Sequence, residues 1–405
     1  MKKGLQLALG ILTAIGGFFD IGNLVTASQA GAKFRFQLLW ALLLGTIIVI
    51  LLVEMSGRLA AVSKKTIPEV AREHFGVRVW FGPFVILVLV HLMTIAAEIG
   101  GIAFALQLLT GISFQLWALP VGILVWLFLW RSTFSAIEFS TASLGLITLC
   151  FVVAAVWHHP PRSDLLAGLL PSLPSDDGAK YWLYAVSILG ALIAPYMFYF
   201  YSSGAIEDEW DRTYLGINRI VSVTGMSFGA LITAGLIVVA GMVLFPKGIA
   251  VDSVNQAAFV LTEAFPFWGF ALFAVSMGIA CLGAVLEVSL SLAYTVSQTF
   301  GWRWGESLEP KQDARFALVY TVGILAASLL MTLGIDPLKL TIYTMALNAM
   351  MLPVVSIPFL LLMNDGHLLH EHGNGILGNL ATGVIVLISC VLFAVSIPLV
   401  LLGGG

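Results

Sequence analysis

Apolar stretches long enough to cross a lipid bilayer occupy almost the whole chain. The hydrocarbon core of a bilayer is about 30 Å thick, which roughly 20 helical residues can span. Backbone groups in lipid must hydrogen bond within their own segment, so such stretches fold as helices. About eleven spans are predicted, at residues 5–28, 37–57, 78–109, 114–130, 136–157, 180–203, 217–245, 266–299, 314–333, 337–362 and 376–402. The chain is therefore predicted to be an all-α polytopic membrane protein.

The composition supports this class. Only 10% of the 405 residues are charged, whereas 60% are hydrophobic. Water-soluble globular domains carry about 25% charged residues, so the composition excludes that class. The net charge of -3 argues against a nucleic-acid partner, and the lipid bilayer is the expected surrounding. Because Cys150, Cys281 and Cys390 lie within apolar runs without paired spacing, we expect buried small side chains and no disulfide framework.

Lysine and arginine residues in the loops predict the orientation of the chain. If the N-terminus is cytoplasmic, most of the 19 basic residues fall on the cytoplasmic side. We therefore predict a cytoplasmic N-terminus and an external C-terminus in a prokaryotic plasma membrane. The first run follows basic residues, as a signal peptide does, but it lacks a small-residue cleavage site, so we expect it to remain as the first span.

The first apolar run carries a polar group at its centre, in the sequence Asp20-Ile21-Gly22-Asn23. An aspartate at mid-membrane costs roughly 2.5 to 3.5 kcal/mol on insertion scales, so it usually serves a function. Glycine and asparagine are poor helix formers, which favours a break in the helix between Asp20 and Asn23. The break would expose a carboxylate, an amide and backbone carbonyls to a cavity, a group that suits a hard cation. The alternative is an aspartate bonded to a neighbouring helix, with Gly22 serving only close packing.

The sixth run contains a second interruption, at Pro195 in the sequence from Gly190 to Tyr196. Proline removes a backbone donor and clashes with the carbonyl four residues earlier, here that of Ala191. In lipid, such a kink is tolerated where the freed carbonyls line a cavity. Interrupted helices at corresponding positions of two halves are typical of secondary transporters with a site near the membrane midplane. An ordinary proline kink is the alternative for Pro195 considered alone.

Further short motifs accompany the two interruptions through most of the chain. They are Arg58-Leu59-Ala60, Ile67-Pro68-Glu69-Val70-Ala71-Arg72-Glu73, Ala97-Glu98-Ile99-Gly100, Leu352-Pro353 and Ile357-Pro358. In their order and spacing the motifs resemble the NRAMP family of divalent metal-ion transporters. The first-helix motif of that family is Asp-Pro-Gly-Asn, and its sixth-helix motif is Gly-Ala-x-x-Met-Pro-His.

The resemblance implies a LeuT-type fold, with two inverted repeats of five helices and one additional helix. Helices 1 and 6 of this fold are broken at mid-membrane. We expect a single transmembrane transporter domain over residues 1–405. Its first repeat, helices 1–5, would cover residues 1–157 and its second, helices 6–10, residues 180–362, with helix 11 at residues 376–402. A monomer is expected.

The resemblance also implies a metal site formed by the Asp20 carboxylate, the Asn23 amide and the backbone carbonyls near Ala194 and Ile21. Ala194 stands where the family has a methionine, whose thioether favours transition metals such as Mn²⁺ and Fe²⁺. Without that sulfur the predicted ligands are all oxygens, which suits the octahedral and reluctantly dehydrated Mg²⁺. In this respect the chain is most similar to the family's branch of NRAMP-related magnesium transporters. We therefore expect Mg²⁺ as the substrate, with Mn²⁺ also accepted.

The remaining pocket residues are expected to be Gly22, Pro195, Tyr196, Met345 and Asn348. Met345 stands at the position of a glutamine ligand of the family. Asn348 follows one helical turn later, so it could supply an amide oxygen in place of that glutamine.

Proton handling is expected to differ from that of the family, which carries an acidic residue at the position of Ile95 and histidines at those of Tyr196 and Tyr201. Membrane proteins move protons along chains of titratable groups, and here Glu98 remains of that set. Proton coupling is therefore expected to be weak or absent. His91 lies seven residues before Glu98 on the same helical face, and it is either a proton relay or a structural histidine.

Two further acidic residues complete the candidate proton or gating path. Glu138 follows Arg131 at the start of the fifth run, and it either pairs with that arginine or gates the inner mouth. Glu287 lies inside the eighth run without a charged neighbour within one turn. It is either protonated, paired across helices or part of an ion path.

The sequence thus predicts a secondary transporter that imports partly hydrated divalent cations, Mg²⁺ foremost, by alternating access. One alternative is a proton-coupled importer of Mn²⁺ or Fe²⁺. Another, of a different class, is a transporter or sensor of a small organic amine or amino-acid-like substrate on the same fold. The sequence contains no nucleotide-binding loop or catalytic triad, so we expect neither an enzyme nor a cofactor besides the transported ion.

Overall fold

Helices account for nearly all the regular structure of the chain. The computed structural model describes residues 19–172, 177–305, 308–309, 311 and 313–403, and within this part no strand occurs. In chain order, the helices are α1 (Ile21–Phe34), α2 (Leu39–Ser63), α3 (Ile67–Phe75), α4 (Val77–Thr110), α5 (Phe114–Arg131), α6 (Phe134–Gly145), α7 (Leu149–Trp157), α8 (Arg162–Gly168), α9 (Gly178–Leu192), α10 (Pro195–Glu207), α11 (Leu215–Val243), α12 (Val254–Ala258), α13 (Gly269–Phe300), α14 (Ala314–Thr332), α15 (Pro337–Leu362), α16 (Gly366–Leu369) and α17 (Ile376–Gly403).

Ten helical segments of the described residues are long and apolar enough to cross a membrane. The predicted span at residues 337–362 coincides with α15, and each of the other predicted spans in this part overlaps one or two helices. At 1.5 Å per residue, the 34 residues of α4 and the 32 of α13 extend about 50 Å, more than the hydrocarbon core is thick. The prediction of an all-helical polytopic membrane protein is confirmed.

Apolar side chains are exposed on the outer helices as well as buried between the inner ones. Leu116, Leu124 and Val156, for example, are largely exposed. Monomeric soluble proteins rarely expose contiguous apolar surface, whereas lipid tails are as apolar as leucine. The outer surface of these helices is therefore suited to contact with lipid.

The first predicted interruption coincides with the start of α1, whose N-cap is Asp20. Asp20 is the N-cap of α1, and its side chain accepts the backbone N–H of Asn23. An aspartate N-cap satisfies a donor of the first turn that would otherwise lack a partner, which allows a helix to begin there. Gly22 and Asn23 consequently lie in the first helical turn, whereas the sequence predicted them to be part of a non-helical segment. The predicted residues 5–18 of this span lie outside the described residues.

The second interruption lies where it was predicted. Helix α9 ends at Leu192 and α10 begins at Pro195, so that Ile193 and Ala194 belong to neither helix. Ala194 has an extended backbone, and Pro195 occupies the first helical position. The N–H that proline lacks would have no partner within the helix at this position, so its absence costs nothing. The last carbonyls of α9 have no partners within the helix, so backbone oxygens are available at this interruption.

Helices α1 and α11 are in close backbone contact at Gly31. A Cβ atom at Gly31 would lie 2.3 Å from the Ile237 carbonyl oxygen and 2.7 Å from the Ala240 Cβ, so a side chain does not fit there. The Gln29 amide also donates to the Val251 carbonyl, at 3.1 Å, beyond the end of α11. Close backbone approach at small residues supplies van der Waals attraction between helices in lipid. The C-terminal half of α1 is thereby fixed to α11.

Candidate metal site

Asp20 is buried at the N-terminus of α1, with 1% of its surface exposed. Its Oδ1 atom accepts the backbone N–H of Asn23 at 2.8 Å and the Asn23 Nδ2 amide at 3.0 Å. Its Oδ2 atom is buried without a hydrogen-bond partner. A carboxylate oxygen that is removed from water without a partner costs free energy, and a cation next to it would offset that cost.

Tyr196 links the two interruptions. It lies in the first turn of α10, is buried, and its side chain interacts with the Asp20 carboxyl group. Glu98 of α4 and Glu287 of α13 also act electrostatically on the Tyr196 hydroxyl group. The Tyr196 hydroxyl group is therefore within the electrostatic influence of acidic side chains at the start of α1, on α4 and on α13.

Glu98 contacts the first interruption directly. Its Oε2 atom accepts the backbone N–H of Ile21 at 3.4 Å, which satisfies a donor of the first turn of α1. Glu98 also interacts with the thiol of Cys281 on α13. The sequence did not predict a role for Cys281, and its place in an apolar run gives no sign of this contact. Glu98, which the sequence analysis placed on a candidate proton path, thus contacts the start of α1 beside Asp20.

His91 has both ring nitrogens occupied. Its Nδ1 atom lies 2.7 Å from the Leu87 carbonyl oxygen, which can only accept, so Nδ1 carries a proton. Its Nε2 atom lies 3.0 Å from the Ser291 hydroxyl, which is also 3.0 Å from the Tyr196 carbonyl oxygen. These contacts are typical of a structural histidine. Ser291 was not predicted to be a site residue. It follows Glu287 by one helical turn on α13, so the spacing already places both side chains on one face of that helix.

Tyr201 and Glu138, which also belong to the predicted proton or gating path, have no described contact with the interruptions. Tyr201 donates to the Asn218 side-chain oxygen at 3.0 Å, and the Asn218 amide donates to the Glu54 carbonyl at 2.8 Å. Tyr201 therefore connects α10 to α11 and α2. The side chain of Glu138 lies outside the part of the chain that the structure describes.

Met345 and Asn348 share one face of α15. A Cβ atom at Gly22 would lie 2.6 Å from the Met345 Sδ atom and 3.2 Å from Asp20 Oδ1. A Cβ atom at Gly190 would lie 2.2 Å from the Met345 carbonyl oxygen. Met345 is therefore held between α1 and α9, the helices that border the two interruptions. Asn348 is fully buried, and neither polar atom of its side chain has a hydrogen-bond partner.

The described residues contain no group of three or more His, Cys, Asp or Glu side chains that could hold a metal ion. A metal ion at Asp20 would therefore need amide, backbone or thioether ligands as well. The Asn23 amide and the Met345 sulfur border Asp20, and the Ala194 carbonyl lies at the second interruption. The Ile21 carbonyl is less suited, because carbonyls in the first turn of a helix point along the helix.

Comparison with known proteins identifies the family. A model of the Nramp family, described as natural resistance-associated macrophage protein-like, matches residues 10–398. The divalent metal cation transporter MntH of Levilactobacillus brevis is 33% identical over 208 residues, which are 50% of this chain and 45% of that one. MntH of Deinococcus radiodurans is 26% identical over 358 residues, which are 85% of this chain and 78% of that one. The chain thus spans about half the length of the first of these relatives.

Solved structures share the fold. A mutant of the Eremococcus coleocola manganese transporter matches with a TM-score of 0.77 at 20% identity, over 96% of this chain and 85% of that chain. Mhp1, a nucleobase-cation-symport-1 family transporter with bromovinylhydantoin bound, matches with a TM-score of 0.64 at 17% identity, over 96% and 91% of the two chains. These likenesses confirm the predicted LeuT-type fold. Since the family model matches nearly the whole sequence, the chain belongs to the Nramp family.

Proposed function

We propose that this chain carries divalent metal cations across a membrane and that Asp20 is the charged ligand. The observation that carries the proposal is the buried Asp20 carboxylate at the start of α1, whose Oδ2 atom has no hydrogen-bond partner. An acidic group inside a membrane protein is stabilised by a cation and usually marks an ion path. Family membership supports the proposal, because the relatives named above are metal cation transporters and not enzymes.

Neutral oxygens would complete the coordination shell. The Asn23 amide now points its NH₂ group at Asp20, so a cation between the two side chains requires the amide to turn and present its oxygen. The Ala194 carbonyl accepts the Met197 N–H at 3.2 Å and retains a second lone pair. The C-terminal end of α9 carries the negative end of the helix dipole, which also favours a cation.

The residue on helix 6 and the names of the relatives favour different ions. Ala194 removes the methionine that the family has on helix 6, which favours an ion coordinated by oxygen, Mg²⁺ foremost with Mn²⁺ accepted. The names of the relatives, which are divalent metal cation and manganese transporters, favour Mn²⁺. Mn²⁺ is common to both arguments, because it accepts the same hard ligands as Mg²⁺.

Weak or absent proton coupling is part of the proposal. Ile95 is not titratable, and tyrosines occupy positions 196 and 201, where the family has histidines. Both ring nitrogens of His91 are engaged in contacts. Glu98 is then the acid at the site through which protons would have to pass if transport were proton-coupled.

Uptake into proteoliposomes tests the proposal, with Mg²⁺, Mn²⁺ and Ca²⁺ compared and the interior pH followed. We expect Mn²⁺ and Mg²⁺ to enter without a change of interior pH, and Asp20→Asn, which removes the charge but keeps the shape, to abolish uptake. Asp252→Asn, at an exposed position, is the control and should transport normally. Entry of Mn²⁺ only together with protons would establish the proton-coupled alternative, and Glu98→Gln would then be tested. If an amine or amino acid enters and no divalent ion does, the organic-substrate alternative replaces the proposal.

A further inference from the structure

We infer that a groove between α4 and α15 binds a phospholipid with an anionic headgroup. One acyl chain lies in the groove, and the phosphate group binds to Arg78 at its edge. The inference goes beyond the proposed function and does not depend on it, because it concerns the outer surface of the helices rather than the residues around Asp20.

The groove lies at the membrane face where α4 begins and α15 ends. Apolar side chains from residues 75–83 and 353–361 line it, and its volume is about 310 Å³. Sites for small molecules usually have about 300–1,000 Å³, so a hydrocarbon chain is a suitable occupant. Val79, Ile357 and Leu361 of the lining are exposed, which shows that the groove opens on the outer surface of the protein.

Three prolines give the groove a rigid wall. Pro83 lies inside α4, and Pro353 and Pro358 lie inside α15. A proline ring in a helix bends the preceding turn, and its side chain has no freely rotating end that could fold into the groove. Pro353 and Pro358 belong to motifs that the sequence analysis singled out and that have no role at the candidate metal site. Their place in the groove wall gives them one.

Arg78 stands where the headgroup of a lipid in the groove would lie. It is exposed in the first turn of α4, three residues after Phe75 and directly before Val79, which both line the groove. Helix α4 is longer than the hydrocarbon core is thick, so its first turn reaches the headgroup region. Arginine binds phosphate through two parallel hydrogen bonds. A phosphate at Arg78 is therefore compatible with an acyl chain along the groove.

The charge of Arg78 is not compensated by the protein. Its side chain makes no hydrogen bond or ion pair with the residues that the structure describes. Glu73, the nearest preceding acid in the chain, pairs with Arg72, and Asp365, just beyond α15, lies 3.3 Å from the ring of His74. Because these acids already have basic neighbours, an anionic headgroup supplies the negative charge that is missing at Arg78.

The same chemistry distinguishes between lipids. Phosphatidylglycerol has a phosphate and a net negative charge, whereas phosphatidylcholine carries a cation next to its phosphate, which weakens the attraction to arginine. Diacylglycerol has the acyl chains alone. A basic residue near the membrane surface strengthens the binding of an anionic lipid about fivefold. We therefore expect phosphatidylglycerol to bind most tightly and diacylglycerol most weakly.

Native mass spectrometry of the purified protein in detergent tests the headgroup site, with these three lipids titrated at equal acyl-chain length. Arg78→Gln should weaken phosphatidylglycerol binding about fivefold and leave diacylglycerol binding unchanged. Arg131→Gln is the matched control. Arg131 is exposed at the end of α5, which crosses the membrane in the opposite direction to α4 and so ends at the face where α4 begins. This variant should bind all three lipids as the parent does.

A second pair of variants tests the acyl-chain site. Ile357→Trp places an indole ring in the groove and should weaken the binding of all three lipids. Leu318→Trp makes a similar change at an exposed position of α14 that does not line the groove, and it should bind lipids as the parent does. If Ile357→Trp does not elute as a folded protein in size-exclusion chromatography, Leu361→Phe, at another exposed position of the lining, decides.

Three results would overturn the inference. Equal affinities of the parent for all three lipids would indicate a nonspecific apolar surface. An unchanged ratio of phosphatidylglycerol to diacylglycerol affinity in Arg78→Gln would show that the headgroup does not bind there. Undiminished lipid binding by both Ile357→Trp and Leu361→Phe would show that the groove has another occupant, such as a detergent molecule or another part of this chain. None of these readouts involves a divalent ion, so such a failure leaves the proposed function untouched.

Discussion

The starts of α1 and α10 present different groups to the interior of the protein. Helix α1 begins with Asp20, a charged N-cap that bonds back to Asn23. Helix α10 begins at Pro195, and its N-cap Ala194 offers no side-chain cap, so this interruption contributes backbone oxygens and no charged side chain. A side-chain charge sets how strongly a cation is attracted, whereas backbone oxygens mainly set the shape of its shell. The comparison indicates that changes at the first interruption alter ion binding and that changes at the second alter packing.

One glycine near each of the two helix starts packs against Met345, so the two regions can be compared by the same substitution. Gly22, at the first interruption, faces the flexible end of the Met345 side chain. Gly190, just before the second, faces the Met345 backbone carbonyl. A side-chain end can move at small cost, whereas a backbone carbonyl in a packed helix cannot. Equal substitutions at the two glycines are therefore expected to have unequal consequences.

The largest effect is expected for Gly190→Ala. The added methyl group would lie 2.2 Å from the Met345 carbonyl oxygen, and such overpacking typically costs about 1–3 kcal/mol. We expect a lower midpoint of thermal unfolding in detergent and a loss of ion binding that follows the loss of folded protein. Gly216→Ala, in α11 with open space at its Cβ position, is the control and should be as stable as the parent or more stable. Equal unfolding of Gly190→Ala and the parent would contradict this account.

A smaller effect on stability and a selective effect on binding are expected for Gly22→Ala. The added methyl group meets the Met345 sulfur and methyl carbon at 2.6 Å, and both atoms can move aside. The methyl group also lies 3.2 Å from Asp20 Oδ1, so calorimetry should show weaker Mn²⁺ binding while the free energy of unfolding falls by less than for Gly190→Ala. A loss of stability equal to that of Gly190→Ala would show that Met345 is not free to adjust.

The smallest effect is expected at the far end of α10, where Asp208 is the C-cap. Burial raises the pKa of the Asp208 carboxyl group from 3.8 to about 6, and Glu207 adds to the rise while Trp210 opposes it. A raised pKa in the folded state stabilises the protein below pH 3.8, and this contribution is lost as the pH rises through 6. Unlike Asp20 at a helix N-terminus, Asp208 lies at the negative end of a helix dipole.

Asp208→Asn removes this pH dependence. Thermal unfolding should show the variant to be as stable as the parent near pH 4, where the aspartate is mostly protonated, and more stable near pH 8. A difference of equal size at both pH values would point to packing rather than to ionisation. Transport at a fixed pH should be unchanged, because Asp208 lies outside the membrane-spanning part of α10.

The sequence was sufficient for features that depend on local chemistry. The ends of α15 followed from its apolar run, because transfer into lipid depends on the composition of the segment itself. The interruption at Pro195 followed from the proline ring, which acts on the preceding turn of the same helix. Asp20 could be predicted as a functional residue because a carboxylate in lipid is costly whatever the arrangement of the surrounding helices.

Features that depend on packing between distant helices were not predicted. The spacing of Met345 and Asn348 places them on one face of α15. It does not predict that the Met345 side chain packs against Gly22 of α1, which is more than three hundred residues away in the chain. The contact of Cys281 with Glu98 and the bond from Tyr201 to Asn218 depend on tertiary packing in the same way. The capping of α1 by Asp20 placed Gly22 and Asn23 in the helix, because the cap outweighed their low helix propensity.

The close contact at Gly31 determines which part of the molecule can move during transport. Helix α1 cannot slide along α11 without bringing a residue with a Cβ atom against the Ile237 carbonyl, so we expect these two helices to move together. Asp20 lies at the end of this pair of helices and keeps its position relative to α11. If Asp20 binds the transported ion, as proposed, its carboxylate would stay in place relative to α11 while the ion exchanges its other ligands.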